Sequence, residues 1–264
     1  METKTNAIMK ELIAKGYDCQ FTKTVKNGIS KEGIIIKGKN KVAPIYYADS
    51  FDGDYKEVAE QIANHYERTS HEDIKFDPNS FIKWENVKNT LGIRVRGKCQ
   101  DDVVTREYLD LEVYVVSYVD DIRGAVGTIS VKESHLNMWG ITEDELFETA
   151  MKRKEEYTVQ AMGEVMPFGD GAPMWLLSNK QCLYGASIIM HPEYFEILAD
   201  KLDDDLYILP SSLHELIVIP AASVPATDII ATIREVNMTV VDPTEILSYS
   251  LYKYNKAENT IEVV

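Results

Sequence analysis

Between residues 3 and 15 the apolar positions Ile8, Leu12 and Ile13 recur near one helical face, and Gly16 follows as a stop, which predicts a short opening helix. The pattern then changes to β-type runs at 19–25, 32–36 and 42–47. Asn27-Gly28 and Gly38-Lys39-Asn40 separate these runs and are turn signals of the hairpin kind. A three-stranded antiparallel meander is expected. Over 54–66 the residues Tyr55, Val58, Ala59, Ile62, Ala63 and Tyr66 fall at helical spacing, giving an amphipathic helix able to cover that meander. Residues 68–78 are polar and read as a loop.

A second β-rich block begins near Trp84, with runs at 91–95, 108–119 and 125–131. Asp120-Asp121-Ile122-Arg123-Gly124 supplies a tight turn between the last two, which should pair as a hairpin. Within 108–119, Leu109, Leu111, Val113 and Val115 alternate with Tyr108, Asp110, Glu112 and Tyr114, so one face is apolar and the other carries acids. His135 and Trp139 fall in a connection. Thr142, with Glu145 three residues later, then forms the capping-box pattern before a helix to about residue 154.

Pro167-Phe-Gly169-Asp170-Gly171 reads as a hinge or linker, dividing the chain into blocks 1–166 and 167–264. Beyond it come strands at 174–177 and 183–190 with Ser178-Asn179-Lys180 as their turn. Pro192 opens a helix that ends at Asp203-Asp204-Asp205. Strands at Tyr207 and 214–219 follow, then a helix after Pro225 with Ile229, Ile230, Ile233 and Val236 facing the core, and a terminal hairpin over 251–254 and 260–263. The sequence has no fixed-period repeat. Strands and helices alternate without a strict βαβ rhythm, so the expected class is α+β, with antiparallel or mixed sheets, covering helices and two loosely separated sub-blocks.

Composition narrows function mainly by exclusion. With 264 residues and 45% hydrophobic content the chain fills real cores. It contains no apolar run of about 18 residues and opens with Glu2, Lys4 and Lys10, unlike a secretory signal, so a cytoplasmic protein with no membrane partner is expected. Cys19, Cys99 and Cys182 are odd in number and far apart, which suits neither a disulfide framework nor a metal knuckle. A formal charge of -15 repels nucleic-acid backbones and anionic membranes, and it favours solubility or a basic protein partner.

The richest polar stretch lies between two apolar runs: Leu206-Tyr-Ile-Leu-Pro210-Ser211-Ser212-Leu-His214-Glu215-Leu-Ile-Val-Ile-Pro220. His214-Glu215 resembles the start of a zinc-protease helix, but the second histidine that motif needs is Val218 here. In a strand the two side chains would point to opposite sides. Ser211 or Ser212 is a candidate nucleophile with His214 as base and Asp203, Asp204 or Asp205 as orienter, although no G-x-S-x-G elbow is present. The alternative is ordinary turn chemistry after Pro210. Asp110 and Glu112, joined by Glu107, are candidate ligands for a hard cation, against their reading as the wet face of a strand. His65, His71, His135 and His191 lack partners at ligand spacing, and no glycine-rich or Walker loop occurs, so no cofactor is expected. The 15 tyrosines include local clusters suited to a protein-binding face or to edge strands.

Val25-Lys-Asn-Gly28, Ala43-Pro44, Tyr108-Leu-Asp110-Leu, His135-Leu-Asn-Met-Trp139-Gly-Ile, Tyr184-Gly185-Ala186, Leu209-Pro-Ser-Ser-Leu-His-Glu215 and Glu235-Val-Asn237 together resemble a bacterial domain-of-unknown-function family numbered fifty-six eighty-eight. The resemblance spans about 21–254 and departs from the family around 97–105, where relatives are more apolar and asparagine-rich. It implies a bacterial intracellular protein and one continuous unit with sub-blocks, and it brings no active site. The functional expectation is a non-enzymatic acidic factor that binds another protein, with a hydrolase using His214 and Glu215 with Ser211 or Ser212, or with a metal held by Asp110 and Glu112, as the alternative. Small-molecule sensing between the two halves is a third.

Overall fold

The structure, a computed structural model, describes residues 3–38, 44–69, 78–122, 125–162 and 173–264. The expected turn at 38–40, the Ala43-Pro44 junction, the 68–78 loop with His71, the tip of the 120–124 turn and the 167–171 linker fall wholly or partly outside the described residues. The chain forms two compact units, one of residues 1–79 with 119–127 and the other of residues 80–118 with 128–264.

In the first unit, α1 (Lys4–Ala14) is capped by Thr3, whose side chain accepts a hydrogen bond from the Asn6 N–H, and Gly16 follows at φ 96°. β1 (Cys19–Lys26), β2 (Ile29–Ile36) and β3 (Ile45–Tyr47) make the antiparallel meander, in the order β1-β2-β3. Asn27 and Gly28 both have positive φ, the geometry that lets a two-residue turn follow the strand twist. α2 (Tyr55–Thr69) contributes Val58, Ala59, Ile62 and Ala63 to a core with Ile8 and Leu12 of α1 and Ile34, Ile36 and Tyr46 of the sheet. Full burial of one such aliphatic side chain stabilises by about 1.5–3 kcal/mol. Ile13 stays exposed, because the helical stripe that reaches the sheet is narrower than the sequence pattern.

The second unit opens with two single-turn helices, α3 (Pro78–Phe81) and α4 (Trp84–Val87). A four-stranded antiparallel sheet follows. β4 (Leu91–Gly97) pairs with β6 (Leu111–Ile122), and β6 carries both β5 (Thr105–Tyr108) and β7 (Ala125–Ser130) along its other side, the end of β6 and the start of β7 being the residues that belong to the first unit. α5 (Glu133–Trp139) and α6 (Glu143–Met151) come next, and the Thr142 hydroxyl caps α6 by accepting from the Glu145 N–H at 3.2 Å. A six-stranded antiparallel sheet completes the unit in the order β13-β12-β10-β11-β9-β8. Its members are β8 (Tyr157–Ala161), β9 (Trp175–Asn179), β10 (Leu206–Leu209), β11 (Leu216–Pro220), β12 (Tyr252–Asn255) and β13 (Thr260–Val263). α7 (Pro192–Leu202) and α8 (Ala226–Thr239) accompany it. One core joins Leu91, Ile93 and Val95 of the first sheet to Leu177, Ile208, Val218 and Tyr252 of the second.

The α+β class with antiparallel sheets and helices is therefore the observed one. Four local expectations differ. The run 108–119 is broken by a two-residue turn in which Leu109 takes φ 56°. The segment 183–190 is a 3-10 helix (Gly185–Met190) and not a strand, and Ser178-Asn179 belong to β9. His135 and Trp139 lie on α5, where the Trp139 indole donates to the Phe81 carbonyl at 2.9 Å. His214 and Glu215 precede β11 and are not part of it.

Candidate functional site

β10 and β11 pair in register from Leu209↔Ile217 to Leu206↔Pro220, so residues 210–215 cross between them as a turn. The buried Ser212 organises it. Its hydroxyl donates to Glu215 Oε1 at 2.7 Å and accepts the His214 backbone N–H at 2.9 Å. The Leu213 N–H donates to the Glu245 carbonyl, the Leu213 carbonyl accepts from Ala186, and the His214 carbonyl accepts from Ser178 Oγ at 2.7 Å. Gly185 lies against the same place: a Cβ there would stand 2.3–2.7 Å from Ser178 Oγ, the Asn179 nitrogen and the His214 carbonyl. Only glycine allows so close an approach.

The His214 ring is oriented from both sides. Nδ1 accepts the Tyr184 N–H at 3.1 Å, so the ring proton of the neutral form sits on Nε2, which lies 3.5 Å from Glu245 Oε1. Tyr184 holds a left-handed backbone and places its own ring 5.4 Å from the imidazole. Neither Ser211 nor Ser212 is hydrogen-bonded to the His214 ring. The structure thus gathers Ser212, His214 and Glu215 into one loop, but couples serine to glutamate and histidine to Tyr184 and Glu245. Glu245, missed in the sequence, lies 31 positions past His214 and carried no motif to flag it.

Asp110 lies in the two-residue turn with Leu109, whereas Glu112 lies on β6, and the two meet different partners. The Asp110 carboxylate accepts hydrogen bonds from Ser248 Oγ (2.6 Å), Ser250 Oγ (2.8 Å) and Tyr252 Oη (2.5 Å). Burial works to raise its pKa, but these three donors outweigh that and hold it below the ordinary carboxylate range. Burial and the neighbouring Asp110 push the Tyr252 phenol up. Glu112 instead pairs with Arg96 at 3.0 Å. Among the described residues no group of three or more His, Cys, Asp or Glu side chains is placed to hold a metal ion.

The face of β6 expected to be wet is covered. Arg94 and Arg96 of β4 lie opposite Tyr114 and Glu112 of β6 and are both buried. Arg96 forks onto both oxygens of Asp101 at 2.6 and 2.8 Å and also reaches Glu112, a geometry that suits a guanidinium. Among the described residues Arg94 has no carboxylate within 4 Å. It donates to Thr128 Oγ1 at 3.0 Å, lies 3.7 Å from the Tyr184 ring centroid and 5.8 Å from that of Tyr118, and leaves its buried Nε–H without a partner. Burial pushes the facing Tyr114 phenol up to about 12. The alternation Ile93-Arg94-Val95-Arg96 was the available signal for this polar face.

Fold and site together define an antiparallel α+β protein whose sequence-marked polar loop is built into its own scaffold. The chain belongs to the family of unknown function DUF5688, whose model matches residues 2–256. Comparison with curated proteins and with solved structures finds no match.

Proposed function

We propose that this protein acts by binding another protein, as a non-enzymatic acidic accessory factor of the bacterial cytoplasm. The observation that supports this reading is the commitment of Ser212, His214 and Glu215 to one another's backbone and to Tyr184, Ser178 and Glu245. A serine hydrolase built on this loop needs a hydroxyl within hydrogen-bond reach of the histidine that takes its proton. Here the Ser212 proton points at Glu215 and the free edge of His214 faces a carboxylate.

Charge distribution favours a charged protein partner. Residues 1–41 hold nine lysines against four acids, whereas residues 42–264 hold 19 basic against 39 acidic side chains. A charge asymmetry of this kind along the chain favours encounter with a charged surface. No helix among the described residues is long and apolar enough to cross a membrane.

The test is co-purification of the tagged full chain from its native host, beside Ser212→Ala and Glu215→Gln variants. A stoichiometric protein partner retained by both variants, and released by added salt, is the expected result. Recovery of the chain alone, or with a metabolite that both variants lose, overturns the reading and returns the loop to enzymology.

A further inference from the structure

The second unit contains an open cavity of about 760 Å³ between the exit of α6, the start of β8 and the first turn of α7. Its carboxylates are all engaged. Glu156 pairs with Lys180, Glu193 lies 3.2 Å from His191 Nδ1, and Glu155 accepts from Asn179 Nδ2 at 2.8 Å and from the Tyr157 hydroxyl at 3.4 Å. Its remaining cations are not. Lys152, Arg153 and Lys154 are exposed, and among the described residues none of them has a carboxylate within 4 Å. In a chain of net charge -15, a concave surface with three unpaired cations runs against the prevailing sign.

Part of this basic run has a structural use, since cations complement the negative end of a helix such as α6. That accounts for their position after Met151 and not for the aromatic wall opposite. Tyr157, His191 and Tyr194 stand with ring centroids 5.0–6.4 Å apart, and Tyr157 is fixed by a hydrogen bond to Ser187 Oγ at 3.3 Å. Burial, then Glu155, raises the Tyr157 phenol, so it stays a neutral donor. The Arg153 guanidinium lies 4.2 Å from the centroid of Tyr118, the ring that Arg94 also approaches. Arg94 is a second cation against that ring, buried and, among the described residues, without a carboxylate within 4 Å.

We propose that this cavity binds a small aromatic anion, with a phosphate or carboxylate group held by Arg153 and Lys154 and a flat ring laid against Tyr194 and His191. Guanidinium and ammonium groups supply charge-assisted hydrogen bonds to such a head group, and the aromatic side chains supply the stacking surface. Small-molecule sites commonly combine apolar walls with a few convergent polar groups in this way.

Calorimetric titration of the full chain with phenyl phosphate tests the site, with inorganic phosphate and phenol titrated separately. Phenyl phosphate is expected to bind more tightly than either part and to weaken as salt rises. Arg153→Ala with Lys154→Ala should lower the affinity about tenfold or more, and Tyr194→Ala should lower it about threefold. These side chains lie at the surface, so an unchanged melting curve separates lost binding from lost folding. Benzoate binding above or below phenyl phosphate, both sensitive to the double variant, supports the site and identifies the head group it prefers. No heat from phenyl phosphate up to about 10 mM, equal affinity for inorganic phosphate, or unchanged affinity in the double variant overturns it. A protein partner found by co-purification leaves this outcome untouched, since no protein ligand enters the titration.

Discussion

Arg94 and Arg96 stand two residues apart on one face of β4, exposed by only 7% and 8%, in opposite electrostatic company. The strand across from them makes the difference. Opposite Arg96, β6 presents Glu112, and the loop after β4 folds Asp101 back to complete a two-carboxylate clamp. Opposite Arg94 it presents Tyr114, and the guanidinium is met by aromatic faces and one threonine hydroxyl. Burying a charge costs several kcal/mol unless it is paired and hydrogen-bonded. Arg96 has that compensation in full and Arg94 only in part. One arginine is a fastening of the sheet, whereas the other keeps a partly compensated positive charge beside Tyr118, the ring that Arg153 also approaches.

The comparison breaks most plainly at its stronger end. Arg96→Met strands Asp101 and Glu112, whose side chains are 20% and 14% exposed, as half-buried like charges. Removal of the buried cation from such a network is expected to cost about 3–5 kcal/mol. Urea unfolding of the variant checks this, and a loss under about 1 kcal/mol would show that the clamp is not structural.

A second variant divides that clamp and gives its pH signature. The Arg96 hydrogen bonds hold Asp101 below the usual carboxylate range against the opposing effect of burial. A folded-state pKa lower than the unfolded one contributes stability that is present above the unfolded value near 4 and is lost as pH falls through the folded value. Asp101→Asn is therefore expected to cost about 1.5–3 kcal/mol at neutral pH. The gap from the parent should close as both are taken from about pH 5 downward. Melting curves at pH 7, 5 and 3 measure it; a gap that is the same at all three removes the ion pair from the account.

These two arginines also mark where the sequence was readable. Patterns confined to one element read well: Ile8 and Leu12 on α1, the Asn27-Gly28 turn, the Val58 to Ala63 stripe of α2, and the Tyr252–Asn255 and Thr260–Val263 hairpin. Misreadings arose where distant residues decide the outcome. Ile188 and Ile189 look like strand residues, yet Gly185 packed onto Ser178, Asn179 and His214 leads their segment into a 3-10 helix. Leu109 takes a positive φ with no Gly or Asn to announce it, and Asp110 in that turn is held by serines some 140 positions away. His214 and Glu215 could be recognised as polar residues of interest, but their roles depend on Tyr184 and Glu245. Neither residue belongs to the string that drew attention.

The weaker end of the comparison gives the smallest effect and the sharper test. Arg94→Met removes one hydrogen bond from the guanidinium to a neutral hydroxyl and contacts with the faces of Tyr184 and Tyr118, interactions worth about 0.5–2 kcal/mol each. It also removes a buried charge without a carboxylate and an unsatisfied Nε–H, and a methionine stem retains much of the packing. These terms oppose each other, so a net change within about 1 kcal/mol of the parent is expected, of either sign. Urea unfolding at neutral pH measures it beside Arg96→Met. A loss matching that of Arg96→Met would mean that aromatic faces compensate a buried guanidinium as well as two carboxylates do, and the distinction drawn along β4 would fall. A near-neutral result leaves Arg94 as a charge the fold tolerates without needing it, held by aromatic faces and a hydroxyl where Arg96 is held by two carboxylates.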